Sequence, residues 1–126
     1  MNSPAARPKY LNLLRIRMPV GAITSIAHRL SGVMLFIAIP FLIYGLDLSL
    51  QGSEGFADVQ ALLASAPIKL ISIAIVWALI HHLLAGIRFL LLDLHIGIQK
   101  SAARTGAWIV NIGAAMAALI YTVSLL

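Results

Sequence analysis

Long apolar runs alternate with short polar stretches along this chain. Three runs stand out, at about residues 20–46, 68–92 and 106–126. Each is long enough for the ~20 residues a helix needs to cross a ~30 Å hydrocarbon core. None alternates apolar with polar positions as barrel strands do, and only helices and closed barrels satisfy their backbone in lipid. The pattern predicts an all-α membrane protein with three transmembrane helices, the whole chain 1–126 forming one membrane domain. Pro40 inside the first run removes a backbone donor and predicts a bend there. Between the first two runs, Phe56, Val59, Leu62 and Leu63 recur at roughly helical spacing, which predicts a short interfacial helix packed over the outer ends of the bundle.

Small residues interrupt the apolar runs in patches. The first helix carries Gly21, Ala22, Ser25 and Gly32. The third carries Gly106, Ala107, Gly113, Ala114, Ala115, Ala117 and Ala118. In lipid such faces let another helix or a flat ligand come close. Helices of a partner chain completing the bundle and ordinary packing among these three helices both account for them.

Composition removes the soluble alternatives. The chain is 61% hydrophobic and 10% charged, whereas soluble domains lie near ~45–50% and ~25%, so it requires an apolar solvent. With no cysteine, disulfides, thiolate zinc sites, iron–sulfur ligation and covalent haem attachment are excluded within it. The net charge of +5 does not point to nucleic acid, because most basic residues sit just outside the apolar runs. Arg7, Lys9, Arg15 and Arg17 lie in residues 1–19, and Lys100 and Arg104 in the second loop. The first loop carries Asp47, Glu54 and Asp58, with Lys69 at the start of the second helix. The positive-inside rule therefore places the N-terminus and second loop in the cytoplasm. Residues 1–19 show no apolar run before a small-residue cleavage site and are expected to stay as a basic segment at the membrane surface.

Ionisable groups at membrane depth cost roughly 2.5 kcal/mol or more each and mark functional positions. The second helix holds His81, His82 and Arg88. His82 and Gly86 are one turn apart on one face, a pairing that suits an imidazole bound to the iron of a porphyrin with room for the ring edge. About eleven residues separate His82 from Asp93, or roughly 16 Å along the axis, near mid-bilayer. His81 points about 100° away, so both cannot bind one metal along one axis. Both histidines as interhelical hydrogen-bonders is the competing reading. Arg88 is placed to meet haem propionates or to snorkel to headgroups. On the first helix, Ser25, His28, Arg29 and Gly32 share a face. An arginine there wants an anionic or carbonyl partner. With Ser25 it could hold a quinone, while His28 could face a propionate. The competing reading has Arg29 snorkelling and Ser25 bonded to its own helix. Asn111, the strongly polar residue of the third helix, is expected to hydrogen-bond across helices. Trp108 and Tyr121 read as interfacial anchors.

Three stretches resemble one family. Arg7-Pro8, with Leu11-Asn12-Leu13 and Arg15-Ile16-Arg17, is similar to its cytoplasmic tail. Ser25-Ile26-Ala27-His28-Arg29-Leu30-Ser31-Gly32 is similar to a Ser-Ile-x-His-Arg-x-Ser-Gly signature. His82-Leu83-Leu84-Ala85-Gly86-Ile87-Arg88-Phe89-Leu90-Leu91-Leu92-Asp93 is similar to His-x-x-x-Gly-Ile-Arg-x-x-x-x-Asp. The family is the cytochrome b membrane-anchor subunit, the larger anchor chain, of succinate dehydrogenase (respiratory complex II). The resemblance covers nearly the whole chain. It implies a subunit of a succinate:quinone oxidoreductase in the bacterial inner membrane, with no succinate chemistry in this chain. It implies haem b with His82 as one axial ligand and the second supplied by the smaller anchor subunit. It implies ubiquinone held by Ser25 and Arg29, and propionates near His28, Arg29 and Arg88. The further partners it implies are an iron–sulfur subunit and a flavoprotein subunit, besides membrane lipids. Phe89 stands where family members often have a histidine beside the propionates, leaving that contact to His28 or Arg88. A haem-free scaffold and a small transporter are the alternatives; the inverted repeats and broken helices usual in transporters are not evident in the sequence.

Overall fold

A computed structural model of the protein describes residues 17–125. Three long helices and one short one make up the fold: α1 (Val20–Ser49), α2 (Ser53–Ala64), α3 (Ala66–Asp93) and α4 (Lys100–Ser124). The described part is all-α. Helices α1, α3 and α4 are each long and apolar enough to cross a membrane, so the chain is a multi-pass membrane protein. Of the basic tail expected over residues 1–19, all but Arg17, Met18 and Pro19 lies outside the described residues.

The chain runs up, down and up. Helix α3 is antiparallel to both neighbours and packs broadly on each, while α1 and α4 run parallel and meet more narrowly. The interior is built of small residues. Ala38, Ala78, Ala85, Ala107, Val110 and Ala114 are its buried apolar members, which lets backbones approach closely where lipid gives no hydrophobic drive for association. Much of the small-residue surface of α4 is thus spent on internal packing. Gly106 lies against Arg88, and Gly113 against Leu84. Large apolar residues point outward instead. Phe36, Phe41 and Leu50 each expose more than 70% of their surface, which suits lipid or a partner and not water.

Helix α2 is the short helix between the first two spans. It meets α1 and α3, and the buried Gly55 lies against the end of α1, where any Cβ would overlap the Leu48 carbonyl. Its large side chains, Phe56, Leu62 and Leu63, are more than half exposed. They point away from the other helices of this chain, as an interfacial helix requires. Gly52, with φ of 106°, turns the chain from α1 into α2, a conformation that only glycine adopts cheaply.

One boundary moves substantially. The third span was expected from about residue 106, but α4 begins at Lys100. Hydropathy registers only the part of a helix that sits in hydrocarbon. The sequence Lys100-Ser101-Ala102-Ala103-Arg104-Thr105 is helical but too polar to be counted. The loop before it reverses through His95 and Gly97, both with positive φ. At the opposite end, Lys69 Nζ donates to the Leu125 carbonyl at 3.1 Å, tying the start of α3 to the end of α4.

Candidate functional site

His82 and His28 meet at the α1–α3 seam, deep in the span. Their rings stack, with centroids 4.2 Å apart. His82 Nδ1 lies 3.2 Å from the His28 carbonyl oxygen and 3.3 Å from Ser31 Oγ. Ser31 Oγ itself donates to that same carbonyl at 2.9 Å. A carbonyl can only accept, and a serine whose proton is already spent can only accept. Both contacts therefore put the proton on His82 Nδ1. That fixes the tautomer and leaves the lone pair on Nε2, the arrangement in which a histidine ligates a metal. The residues present fit an axial haem ligand at His82. Among the described residues no three His, Cys, Asp or Glu side chains gather at one point.

Two glycines line this seam. The space at Gly86 expected for a porphyrin edge borders His28 in this structure, where a Cβ on Gly86 would stand in ordinary contact with His28 Nε2 at 3.7 Å. Gly32 is the position pressed against His82, since a Cβ there would lie 3.0 Å from His82 Cε1. Phe89 sets its ring edge-on to His28 at 5.3 Å, and the Arg88 guanidinium lies 5.3 Å from the Phe89 centroid.

His81 points to the other side of α3. It is 1% exposed, and its Nε2 lies 3.1 Å from Asn111 Oδ1 on α4. Thr24 Oγ1 on α1 reaches the same amide atom at 3.2 Å. One asparagine therefore joins three helices, and the cross-helix hydrogen bonding expected for Asn111 is observed. His81 Nδ1 is buried with no partner among the described residues.

The remaining candidates separate. Arg88 Nη2 donates to the Ala103 carbonyl at 3.0 Å, between Gly21 of α1 and Gly106 of α4, while its Nε is buried without a partner among the described residues. Its charge thus sits inside the three-helix seam on the α4 side. Ser25 is half-buried and Arg29 exposed on the outer surface of α1. Neither joins the histidine cluster, and both are available to something outside this chain. Sequence reasoning gave no role to Thr24 or Ser31, both fully buried. The signal was present: Thr24, Ser31 and Ala38 recur every seven residues and are the buried stripe of α1.

A family model described as succinate dehydrogenase/fumarate reductase transmembrane subunit matches residues 3–122. Among similar proteins is the succinate dehydrogenase cytochrome b556 subunit of Coxiella burnetii, 41% identical over 91 residues, covering 71% of this chain and 73% of that one. The protein of the same name from Paracoccus denitrificans is 30% identical over 114 residues, 90% of this chain and 88% of that one. Its namesake in Rickettsia felis is 30% identical over 104 residues, with 82% and 81% covered.

Proposed function

This chain belongs to the succinate dehydrogenase/fumarate reductase transmembrane subunit family, and we propose from that premise that it is the haem b-binding anchor of a succinate:quinone oxidoreductase. The observation that carries the proposal is the His82 Nδ1 contact with the His28 carbonyl and Ser31, which prepares Nε2 as a ligand. The cytochrome b556 name of the relatives supports haem b as the group held there. Bound at His82, a haem b would supply a one-electron relay in the middle of the membrane. A smaller anchor subunit would provide the second axial ligand and complete the bundle on the exposed face of α1. His28 and Arg29 on α1, and Arg88 on α3, are the groups for the propionates. Arg88 contributes with what its bond to Ala103 leaves free.

The quinone site falls to Ser25 and Arg29. Electrons would reach it from the iron–sulfur subunit, itself supplied by the flavoprotein that oxidises succinate. Ser25 Oγ would hydrogen-bond one quinone oxygen. Arg29 would stabilise the negative charge that develops on that oxygen during reduction, and a guanidinium held in place does so without reorganising. Arg17, Lys100 and Arg104 lie at the end of the bundle where α1 and α4 begin. By the positive-inside rule that end, with the N-terminus, is cytoplasmic, so protons for quinone reduction would enter from the cytoplasm.

The test is the visible spectrum of the purified whole complex. The His82→Ala complex should lose the reduced-minus-oxidised haem bands and the haem recovered on extraction. An unchanged spectrum with full haem content would remove His82 as the ligand.

A further inference from the structure

We propose that Asn111 is a positioning residue for the His82 imidazole, acting from α4 through His81; the proposal rests on the reading of His82 as the haem ligand. His81 and His82 are adjacent on α3 and point about 100° apart. One is held by α4, at 3.1 Å from Asn111. The other is held by α1, at His28 and Ser31. These two holds act on faces of α3 about 100° apart and together fix its rotation about its own axis.

The anchor at His81 depends on Asn111. His81 Nδ1 is buried and unpartnered among the described residues, so the bond at Nε2 is the polar anchor its ring has there. The amide can present either of its terminal atoms to the cluster, because nitrogen and oxygen occupy equivalent positions. With Oδ1 facing in, His81 donates to it, and Thr24 has one proton for two acceptors, Asn111 and the Val20 carbonyl. With Nδ2 facing in, its two protons go to His81 Nε2 and Thr24 Oγ1, and Thr24 gives its own proton to Val20. The second arrangement gives His81 Nε2, Thr24 Oγ1 and the Val20 carbonyl a partner each. In both, removing the amide strips the His81 ring of its bond to α4, in a medium where an unpaired polar atom is costly. Turning α3 is then the route by which His81 finds another partner.

His82 is sensitive to such a turn. Its two Nδ1 contacts, at 3.2 and 3.3 Å, are at the long end of hydrogen-bond distances. A rotation of roughly 5° moves an atom about 5 Å from the helix axis by about 0.4 Å, enough to break them. A ligating imidazole that loses its Nδ1–H···O bond becomes a weaker base. A weaker donor stabilises ferric iron less, so the midpoint potential of the haem rises.

The test uses the assembled complex carrying Asn111→Leu, Thr24→Val, Thr24→Ser or His82→Ala, read by potentiometric titration of the haem absorbance and by the low-spin ferric resonance. Asn111→Leu should keep haem, raise the midpoint potential and shift the resonance. Thr24→Val, which keeps shape but loses the hydroxyl, should move both in the same direction by less. Thr24→Ser, which keeps the hydroxyl, should match the parent. An assembled Asn111→Leu complex with parental potential and resonance would overturn the proposal, as would equal shifts in Thr24→Ser and Thr24→Val. If Asn111→Leu does not assemble, the Thr24 pair decides alone. Retention of haem by His82→Ala would overturn the ligand reading and this proposal with it. Loss of haem there, with a parental Asn111→Leu, overturns the positioning role only.

Discussion

The imidazoles of His28 and His82 lie face to face, 11° from parallel with centroids 4.2 Å apart. The two residues are joined twice, since the His28 carbonyl also faces His82 Nδ1. One residue of α1 therefore contributes both its backbone and its ring to setting the orientation of a side chain on α3. Substitutions around this pair should be felt in proportion to how directly they press on it.

Gly32 and Gly86 separate cleanly on this ground. A methyl at Gly32 would sit 3.0 Å from His82 Cε1, whereas one at Gly86 would sit an ordinary 3.7 Å from His28 Nε2. Overpacking of this kind costs about 1–3 kcal/mol. Gly32→Ala should lower the haem content of the purified complex or displace its absorbance maximum, and Gly86→Ala should match the parent. Equal behaviour of the two variants in a haem extraction assay would show that the His82 ring does not rest on Gly32.

Arg88 should act on stability more than on the visible spectrum. Its bond to the Ala103 carbonyl joins the C-terminal part of α3 to the start of α4, and a hydrogen bond from a charged donor is worth roughly 1.5–3 kcal/mol. Arg88→Met should lower the thermal denaturation midpoint of the complex in detergent. Arg88→Lys should recover only part of the loss, because an ammonium is a point donor on a differently shaped stem. A melting curve that stays in place in Arg88→Met would mean that this bond contributes nothing net.

Ser25 should separate two activities. It is half-buried on α1, outside the histidine cluster, so removing its hydroxyl should leave the bundle intact. One lost hydrogen bond to a substrate, about 1 kcal/mol, converts to roughly a fivefold fall in rate. Ser25→Ala should therefore slow ubiquinone reduction about fivefold while succinate oxidation by a soluble artificial acceptor continues. Arg29→Lys should be slower still. A parallel fall of both activities would assign Ser25 to assembly.

Tyr121 offers a contrast at the other end of the bundle. Its hydroxyl donates to Ser72 Oγ at 3.1 Å, far along the helices from His82. Tyr121→Phe should cost about 1 kcal/mol of stability, seen as a small decrease in melting temperature, with the haem spectrum unaltered. A spectral change in this variant would show coupling along α3 that the contacts do not predict.

The spans were legible because hydrocarbon imposes a length and a composition on any helix that crosses it. The short helix at Ser53–Ala64 was legible from the spacing of Phe56, Val59, Leu62 and Leu63. The different fates of His81 and His82 followed from helix geometry, since neighbours 100° apart cannot face the same thing. The partners themselves were not legible. Thr24 and Asn111 are 87 residues apart, and no local pattern pairs them. The side to which Arg88 turns was equally hidden, because a residue in the C-terminal half of α3 faces either α1 or α4 depending on a rotation that only packing decides. Gly86 and Gly32 show the same limit: both glycines were noticed, but which imidazole each accommodates depends on how two helices cross.

The amide of Asn111 also bears on how the protein is made. Thr24 leaves the ribosome early and His81 later, and both find their shared partner on α4, which is synthesised after the helices that carry them. Until α4 enters the bilayer, a buried histidine on α3 lacks its interhelical bond to Asn111. Insertion of α4 is thus the step that gives His81 and Thr24 their shared partner, and a chain stalled before α4 would leave both polar groups without it.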